Sequence, residues 1–361
     1  MGSSFSGIGN QLKLLTNRIN TARPALIVAG LTFALSANLN AAIVTTGNLL
    51  VVDVNNSSVQ ERQRNGTLVQ SFAVPPTGGI TETTRGLALG GDGLIQVYNG
   101  TFNPTLTTID PTVGSRLDTK GVGFSTANTL GFGHVATSGS RVFVTDDNTV
   151  GSTDKGIVTF DFSGGVTSSR FATDFAPSDL ITGKADGLLY SLGIAATSST
   201  TTPNLIRIYN PSSLSFVRDI VLPAATSTSG LRGFATRDGN EYFAIRLNNQ
   251  IVRLDINGAV VETFAVPGTV LGERFIDIDL SQDGAIAVSS DRGSVFLTDT
   301  TLTSSTSFIV NGDTNTALRP VYLSFAEVTA VPEPGSTLAL TVLSLAGIVT
   351  WRRRRSTAPI A

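Results

Sequence analysis

The sequence contains no cysteine and only one histidine, His134, among its 361 residues. Without a thiol the protein has no disulfide, no cysteine nucleophile and no cysteine-ligated zinc site. A single imidazole excludes metal centres built on two or more histidines and leaves one base for any histidine-dependent triad. His134 lies in a glycine-flanked run, residues 131–135, that is typical of a strand. We therefore interpret His134 as a structural residue.

Charged residues are also scarce, at 14% of the chain, and helical patterns are nearly absent from its central part. Short alternating runs of apolar and polar residues occur instead, and several precede turn sequences such as Asn210-Pro211 and Asn257-Gly258. This pattern predicts an all-β protein. The clearest strands are predicted at residues 49–54, 141–144, 157–160, 205–209, 251–254 and 294–297.

Glycine-containing turns recur along the chain at a nearly constant distance. The steps between them are 46, 46, 48, 52 and 45 residues, and predicted strands flank each glycine. A period of about 45–50 residues with four strands per unit is typical of a β-propeller blade. The series predicts a six-bladed β-propeller, and its glycines are Gly47, Gly93, Gly139, Gly187, Gly239 and Gly284.

Two further features of the repeats support a closed ring. The segments that start at Gly47 and Gly239 align without a gap at an offset of 192 residues, which equals four repeats of 48. An additional strand is predicted at residues 320–326, whereas the first repeat lacks a full leading strand. We expect the additional strand to become the innermost strand of the first blade, which would remove exposed sheet edges. The body resembles the broad group of propellers with degenerate repeats; seven blades or a β-sandwich pair are the alternatives.

Residues 1–41 have the layout of a secretory signal peptide. The segment has three basic residues and no acidic one, and an uncharged apolar run covers residues 24–35. Small residues follow up to Ala41-Ala42, where cleavage is expected. We predict a signal peptide over residues 1–41 and a propeller body over residues 42–330. An uncleaved N-terminal anchor is the alternative.

Residues 331–361 have three consecutive parts. Pro332 and Pro334 make the first part a non-helical spacer, residues 336–351 are uncharged and largely apolar, and four arginines follow Trp351. The apolar part is predicted to be a C-terminal transmembrane helix: its length is near the lower limit of the roughly 17–25 residues that span a membrane, and the arginines would remain cytoplasmic. A short buried helix is the alternative. The predicted anchor residues are Leu338, Leu340, Val342, Leu343, Leu345, Ile348 and Trp351, and the basic cluster is Arg352, Arg353, Arg354 and Arg355.

The order of the motif Pro332-Glu333-Pro334, the apolar span and the arginine cluster resembles the PEP-CTERM sorting signal of exported bacterial proteins. The resemblance implies an exosortase as partner, a membrane-embedded cysteine protease expected to act at the Pro-Glu-Pro element. It also implies a cell with an outer membrane and an exopolysaccharide matrix. The protein would then pass transiently through the inner membrane and reach the cell surface or the extracellular matrix. The resemblance covers the last tenth of the chain and implies nothing about the chemistry of the body.

The body between these two segments is acidic, with 18 basic and 26 acidic residues and a net charge of −8. This charge argues against nucleic acid as a partner. Arginine nevertheless recurs at the start of four predicted innermost strands, around one mouth of the expected channel. Guanidinium groups there could bind the carboxylate or sulfate groups of an acidic exopolysaccharide. The alternative is that each arginine ties one blade to the next; the four are Arg85, Arg232, Arg274 and Arg319.

Two groups of acidic residues could supply oxygen ligands for Ca²⁺, the one cofactor that the sequence suggests. Asp277, Asp279 and Asp283 precede the sixth glycine, and residues 146–148 lie near Asp154 in a loop. Neither group has the spacing of an EF-hand loop. Strand alternation places Asp277 and Asp279 on one face of a strand. We interpret the first group as a solvated strand face and the second, Asp146, Asp147, Asn148 and Asp154, as a polar turn, and assign no metal site.

Two functional classes remain. The first is a non-enzymatic surface or matrix protein whose propeller presents loops to a polysaccharide or a neighbouring protein. The second is an exported hydrolase or lyase that uses carboxylates, with or without Ca²⁺, at the channel mouth. The lack of cysteine, the single histidine and the lack of a recognisable catalytic spacing favour the first class. No residue is assigned a catalytic role.

Overall fold

The computed structural model describes the propeller body, within a compact unit that extends from Val44 to Val331. The described residues are 44–53, 58–74, 84–99, 105–112, 115–121, 134–146, 155–161, 167–195, 204–223, 230–246, 248–310 and 321–327. The predicted signal peptide, the sorting motif, the anchor residues and the basic cluster lie outside them. Within these ranges there is no helix of the length and apolar character needed to cross a membrane.

The described residues form antiparallel strands arranged in six sheets of four strands each, which confirms the all-β, six-bladed propeller. Blade I contains β24, β1, β2 and β3 from the inside outwards, and each later blade takes the next four strands in chain order. The strands are β1 (Leu49–Asp53), β2 (Ser58–Arg62), β3 (Leu68–Ala73), β4 (Thr84–Leu89), β5 (Ile95–Asn99), β6 (Thr105–Asp110), β7 (Ser115–Gly121), β8 (Val135–Ser138), β9 (Arg141–Asp146), β10 (Gly156–Asp161), β11 (Thr167–Phe171), β12 (Phe175–Thr182), β13 (Leu189–Ala195), β14 (Leu205–Tyr209), β15 (Phe216–Val221), β16 (Leu231–Ala235), β17 (Glu241–Arg246), β18 (Gln250–Asp255), β19 (Val260–Ala265), β20 (Phe275–Leu280), β21 (Ala285–Ser290), β22 (Ser294–Asp299), β23 (Thr306–Ile309) and β24 (Leu323–Phe325).

The ring closes as the sequence predicts. β24 is the innermost strand of blade I and pairs antiparallel with β1, with Leu49 opposite Phe325 and Val51 opposite Leu323. The Ala326 N–H donates to the Asn48 carbonyl, and the Gly47 N–H donates to the Ala326 carbonyl, at 2.8 and 3.0 Å. The last described strand therefore completes the first blade, and the inner edge of β1 is paired rather than exposed.

The core lies between neighbouring blades. Inner strands such as β5 are buried along their whole length, because one face of a blade packs against the preceding blade and the other face against the following blade. One cluster, for example, combines Leu192 and Ile206 of blade IV with Phe234 and Ala244 of blade V. The outermost strands are more exposed, since water covers their outer edge, and β15 and β19 show this most clearly.

The six glycines of the repeat all adopt a left-handed backbone, with φ between 59° and 89°. Each stands in the turn just before the second strand of its blade. An L-residue side chain is strained in this conformation, which explains why glycine recurs there. The channel end that carries these turns is called the glycine end below, and the opposite end, where the innermost strands begin, is called the arginine end.

Replacing a glycine of these turns with alanine should destabilise the protein by an amount that depends on the space around the added Cβ. Gly93→Ala should lower the free energy of unfolding by about 1–2 kcal/mol, because its φ is +79° but an added Cβ meets nothing within 4 Å. Gly239→Ala should cost more, about 2–4 kcal/mol, because its Cβ would lie 2.3 Å from the Tyr190 hydroxyl oxygen. Denaturant unfolding of both variants tests this order, and equal losses would contradict it.

Candidate functional site

Three ionisable side chains from different blades meet inside the ring. His134 immediately precedes β8 of blade III, Asp179 lies in β12 of blade IV, and Asp277 lies in β20 of blade VI. His134 Nδ1 is 2.9 Å from Asp179 Oδ1 and 3.8 Å from Asp277 Oδ1, and all three side chains are buried. The His134 ring also meets the Tyr322 ring edge to face, with centroids 6.1 Å apart. We call His134, Asp179 and Asp277 the central trio.

β-Bulges in the innermost strands place these side chains at one level of the channel. The pairing register shifts between Pro177 and Asp179 in β12 and between Phe275 and Asp277 in β20. β4 and β16 shift in the same way, and there the residue after the bulge is glycine, Gly86 or Gly233. A Cβ on Gly233 would stand 3.4 Å from Asp179 Oδ2, so the missing side chain leaves room for the carboxylate.

Each aspartate of the trio joins its own strand to the innermost strand of the next blade. Asp179 accepts hydrogen bonds from the Leu180 N–H and, in blade V, from the Phe234 N–H, both at 2.7 Å. Asp277 accepts from the Ile278 N–H and, in the closing strand β24, from the Leu323 N–H, both at 2.8 Å. The trio therefore binds the backbone of the ring at two seams, including the seam where the ring closes.

Asp279, closer to the glycine end, also joins β20 to the closing strand β24. Its carboxylate accepts from the Leu280 N–H and from the Phe325 N–H of β24, both at 2.8 Å. The same oxygen that binds Phe325 lies 3.0 Å from Lys184 Nζ, and Lys184 is also 3.2 Å from Glu327 Oε2. Lys184 thus lies between two carboxylates of blades VI and I.

Burial raises the pKa of Asp277 to about 7, against an ordinary value near 3.8. The neighbouring Asp179 raises the pKa as well, whereas His134 and the Leu323 N–H lower it because they favour the charged form. A carboxyl group with this pKa can hold or release a proton near neutral pH.

A cavity of about 270 Å³ opens from His134 and Asp277 of the trio towards the glycine end. His134 and Asp277 lie at its base, and Lys184, Asp279 and Glu327 lie towards its mouth. Its size is at the lower end for a small-molecule site. Its carboxylates outnumber its cations, so the cavity suits a neutral or cationic molecule better than an anion.

The structure corrects the interpretation of Asp277 and Asp279 as a solvated strand face. Asp277 is buried and Asp279 is partly buried, because both faces of β20 are covered by neighbouring blades. Asp283, the third member of the group, does not join them: Arg64 binds both of its oxygens, at 2.8 and 3.0 Å. The hydrogen bonds from Arg64 lower the pKa of Asp283 to about 2, and the hydrogen bond from Ser281 contributes to a smaller extent.

The described part of the chain contains no group of three or more His, Asp or Glu residues arranged to hold a metal ion. In the second acidic group, the interpretation of Asp146 as part of a polar turn is wrong, because Asp146 is the buried last residue of β9 and pairs with Arg170 at 2.7 Å. The other members of that group, Asp147, Asn148 and Asp154, lie outside the described residues.

Two of the four predicted anion-binding arginines are described with their side chains, at the arginine end. Arg232 is half-buried, and its pKa is lowered first by burial and then by the nearby positive charge of Arg274. Arg274 is exposed, and its backbone N–H donates to Asp291 at 2.8 Å. The two guanidinium groups therefore lie within electrostatic range of each other, and the Asp291 carboxylate, which raises the pKa of Arg232, lies within the same range. The side chain of Arg85 and the whole of Arg319 lie outside the described residues.

Sequence reasoning missed Asp179, Lys184, Glu327 and Tyr322. The pairing register shows that Asp179 and Asp277 are equivalent, because they lie opposite Leu192 and Ser289, each five residues after the repeat glycine of its blade. An alignment on the glycines does not pair them without a gap, since Asp179 precedes Gly187 by eight residues and Asp277 precedes Gly284 by seven. No sequence signal marks Lys184, whose partners come from two other blades.

Comparison with known proteins adds one specific finding. Residues 330–355 match a VPDSG-CTERM motif. The match supports a C-terminal sorting signal of the PEP-CTERM-like type, and PEP-CTERM as the particular family stays a prediction. Such a signal is consistent with an exported protein directed to the cell surface.

The remaining comparisons concern the fold alone. No curated protein sequence matches the chain significantly. A chain in the crystal structure of a nidogen/laminin complex superposes with a TM-score of 0.51 at 14% identity, covering 78% of this chain and 99% of that one. At this identity the similarity shows a common fold and does not transfer a partner or an activity.

Proposed function

We propose that the protein is an exported binding protein without catalytic activity, processed at its C-terminal signal and delivered to the cell surface or the extracellular matrix. The proposal that the protein lacks catalytic activity is supported by the structural role of the carboxylates in the channel. Asp179, Asp277 and Asp279 each bind the backbone of the neighbouring blade, so their oxygens hold the ring together. The sorting motif at residues 330–355 supports the delivery.

An acidic exopolysaccharide is the proposed partner at the arginine end. Arg232 and Arg274 place two positive charges beside the single carboxylate of Asp291, which leaves a net positive charge in an acidic body. Guanidinium groups bind carboxylate and sulfate groups with two hydrogen bonds each. We expect the full-length protein to bind sulfated or uronate-containing glycans on an array and to lose most of this binding at high salt.

Replacing Arg232 and Arg274 with alanine should reduce this glycan binding at least tenfold, and adding Arg85→Ala and Arg319→Ala should abolish it. Arg253→Ala is the matched control, because Arg253 pairs with Glu262 on the face of blade V and should leave binding unchanged. Glycan binding that survives all four substitutions would reject the arginine site.

Processing is proposed to occur at Pro332-Glu333-Pro334, with an exosortase as the processing partner. Replacing these three residues with alanine should leave the protein in the inner membrane, because the exosortase would no longer cleave the anchor from the body. Fractionation of cells that express the variant measures this, with alanines at Ser336 and Thr337 as the control. Normal release of the motif variant would contradict the proposal.

A carboxylate-dependent hydrolase or lyase is the second candidate, and one observation favours it. Asp277, whose pKa is near 7, lies beside His134 at the base of a cavity, which is an environment suited to proton transfer. This alternative predicts turnover of a polysaccharide or lactone that Asp277→Asn abolishes, and inhibition by a chelator if Ca²⁺ takes part. Absence of turnover across a substrate panel would reject it.

A further inference from the structure

A second cleft lies outside the channel, on the seam between blades III and IV. Its volume is about 380 Å³, and its walls include Phe171 from β11, Tyr209 from β14 and Phe216 from β15. Asp174 and Arg207 also line it. We call it the III–IV cleft. It shares no lining residue with the cavity of the central trio.

The aromatic rings of the III–IV cleft form a continuous wall with one exposed end. Phe171 packs edge to face on Tyr209 at 5.2 Å, and Tyr209 meets Phe216 at 6.5 Å. Phe216 keeps 57% of its surface exposed, which is unusual for a large aromatic side chain. An exposed ring beside a concave surface is suited to stacking against a flat, partly apolar ligand.

The polar groups of the cleft are held in place by Arg207, and one of them stays accessible. Arg207 donates to both oxygens of Asp219 and to Asp174, at 2.8–3.0 Å, and lies over the Phe175 and Phe216 rings. The Tyr209 hydroxyl is buried and lies near Arg207, which partly offsets the effect of burial on the pKa of Tyr209. The Asp174 carboxylate, in contrast, keeps 71% of its side-chain surface exposed and can accept hydrogen bonds from a ligand.

The backbone of the cleft is strained at two positions. Ala172 and Leu214 line the cleft and have φ values of 57° and 59°, in a region that residues with a side chain rarely adopt. Four non-glycine residues have positive φ in the described part of the chain, and two of them are in this cleft. Such strain is concentrated at binding sites, where the surrounding structure keeps the residues in place.

We propose that the III–IV cleft binds a neutral hexose unit of a polysaccharide. The C–H face of a hexose would stack on Phe216, while its hydroxyl groups would donate hydrogen bonds to the exposed Asp174 carboxylate. Arg207 is outnumbered by Asp174 and Asp219, so the local charge is negative and disfavours uronate or sulfated sugars. This site is independent of Arg232 and Arg274, and goes beyond the function proposed for them.

The test is calorimetric titration of the full-length protein with neutral hexamers of glucose, mannose and galactose, and with a galacturonate hexamer. At least one neutral hexamer should bind. Phe216→Ala should weaken its binding about tenfold, and Asp174→Ala about threefold to tenfold, while the loss of the exposed ion pair between Asp174 and Arg207 should change thermal stability little. Val221→Ala, which alters an exposed residue of the same strand, is the control and should bind normally.

The proposal is overturned if no neutral hexamer binds at millimolar concentration, or if both cleft variants bind as well as the unsubstituted protein. Binding of the galacturonate hexamer that depends on Phe216 and not on Arg232 would also overturn it. Galacturonate binding by the Arg232 and Arg274 variant tests only the arginine site of the proposed function. The arginine site and the III–IV cleft can therefore be rejected independently.

Discussion

Asp277→Ala is expected to lower the free energy of unfolding by about 2–5 kcal/mol, because the Ile278 and Leu323 N–H groups would both lose their buried acceptor. Each unsatisfied buried donor costs about 1–3 kcal/mol. The Leu323 bond is the more important of the two, since it holds β24, which is only three residues long and closes the ring. Urea denaturation with Asp277→Ala and the unsubstituted protein measures the loss.

Glu262→Ala is a suitable control for the removal of a carboxylate. Glu262 forms an ion pair with Arg253 on the surface of blade V, at 3.2 Å, and exposed pairs contribute about 0–1 kcal/mol. If Asp277→Ala costs no more than Glu262→Ala, Asp277 does not hold the closing strand. Amide exchange at Leu323 gives a local readout, and exchange should be faster in the Asp277 variant than in the control.

The propeller could be predicted because its repeat depends on a local backbone requirement. A tight turn with positive φ needs glycine in each blade, so the spacing of six glycines in the sequence reports the spacing of the blades. The closing strand could be predicted for a related reason: a ring with an unpaired inner edge in its first blade is unstable. The observed pairing of β24 with β1 follows from these two constraints.

The central trio could not be predicted because it depends on contacts between blades. His134, Asp179 and Asp277 come from blades III, IV and VI, and strand alternation alone placed Asp277 on a solvated face. That interpretation failed because both faces of an innermost strand in a propeller are covered. The bulges that aim the side chains into the channel also have no distinctive residue, since the unpaired positions are Arg85, Ser178, Arg232 and Ile276.

The stability of the ring should fall as the pH rises from about 4 to about 8. Asp277 is fully buried and its pKa is raised from 3.8 to about 7, so the folded protein binds its proton more tightly than the unfolded chain does. The stabilisation is therefore complete below pH 4 and is lost as the pH rises through 7, when the buried carboxylate must ionise. One such group changes the free energy of unfolding by up to about 1.4 kcal/mol per pH unit.

The charged groups that face Asp277 define the control for this pH dependence. His134 lies 3.8 Å away, and the carboxylates of Asp179 and Asp279 raise the pKa of Asp277 further. Asp277→Asn cannot ionise, whereas the other titrating groups remain, so the difference between the two stability profiles isolates Asp277. We expect that difference to change by about 2–4 kcal/mol between pH 4 and pH 8.

Carbon-13 NMR of the Asp277 carboxyl group in the native protein provides an independent measurement that does not require the variant to be stable. The resonance should titrate near pH 7, because burial disfavours the charged form more than His134 and the backbone N–H groups favour it. A midpoint near 4 would show that His134 and the N–H groups fully compensate for burial. Asp277 would then hold the ring together as a permanent carboxylate, and the stability of the closure would not depend on its protonation.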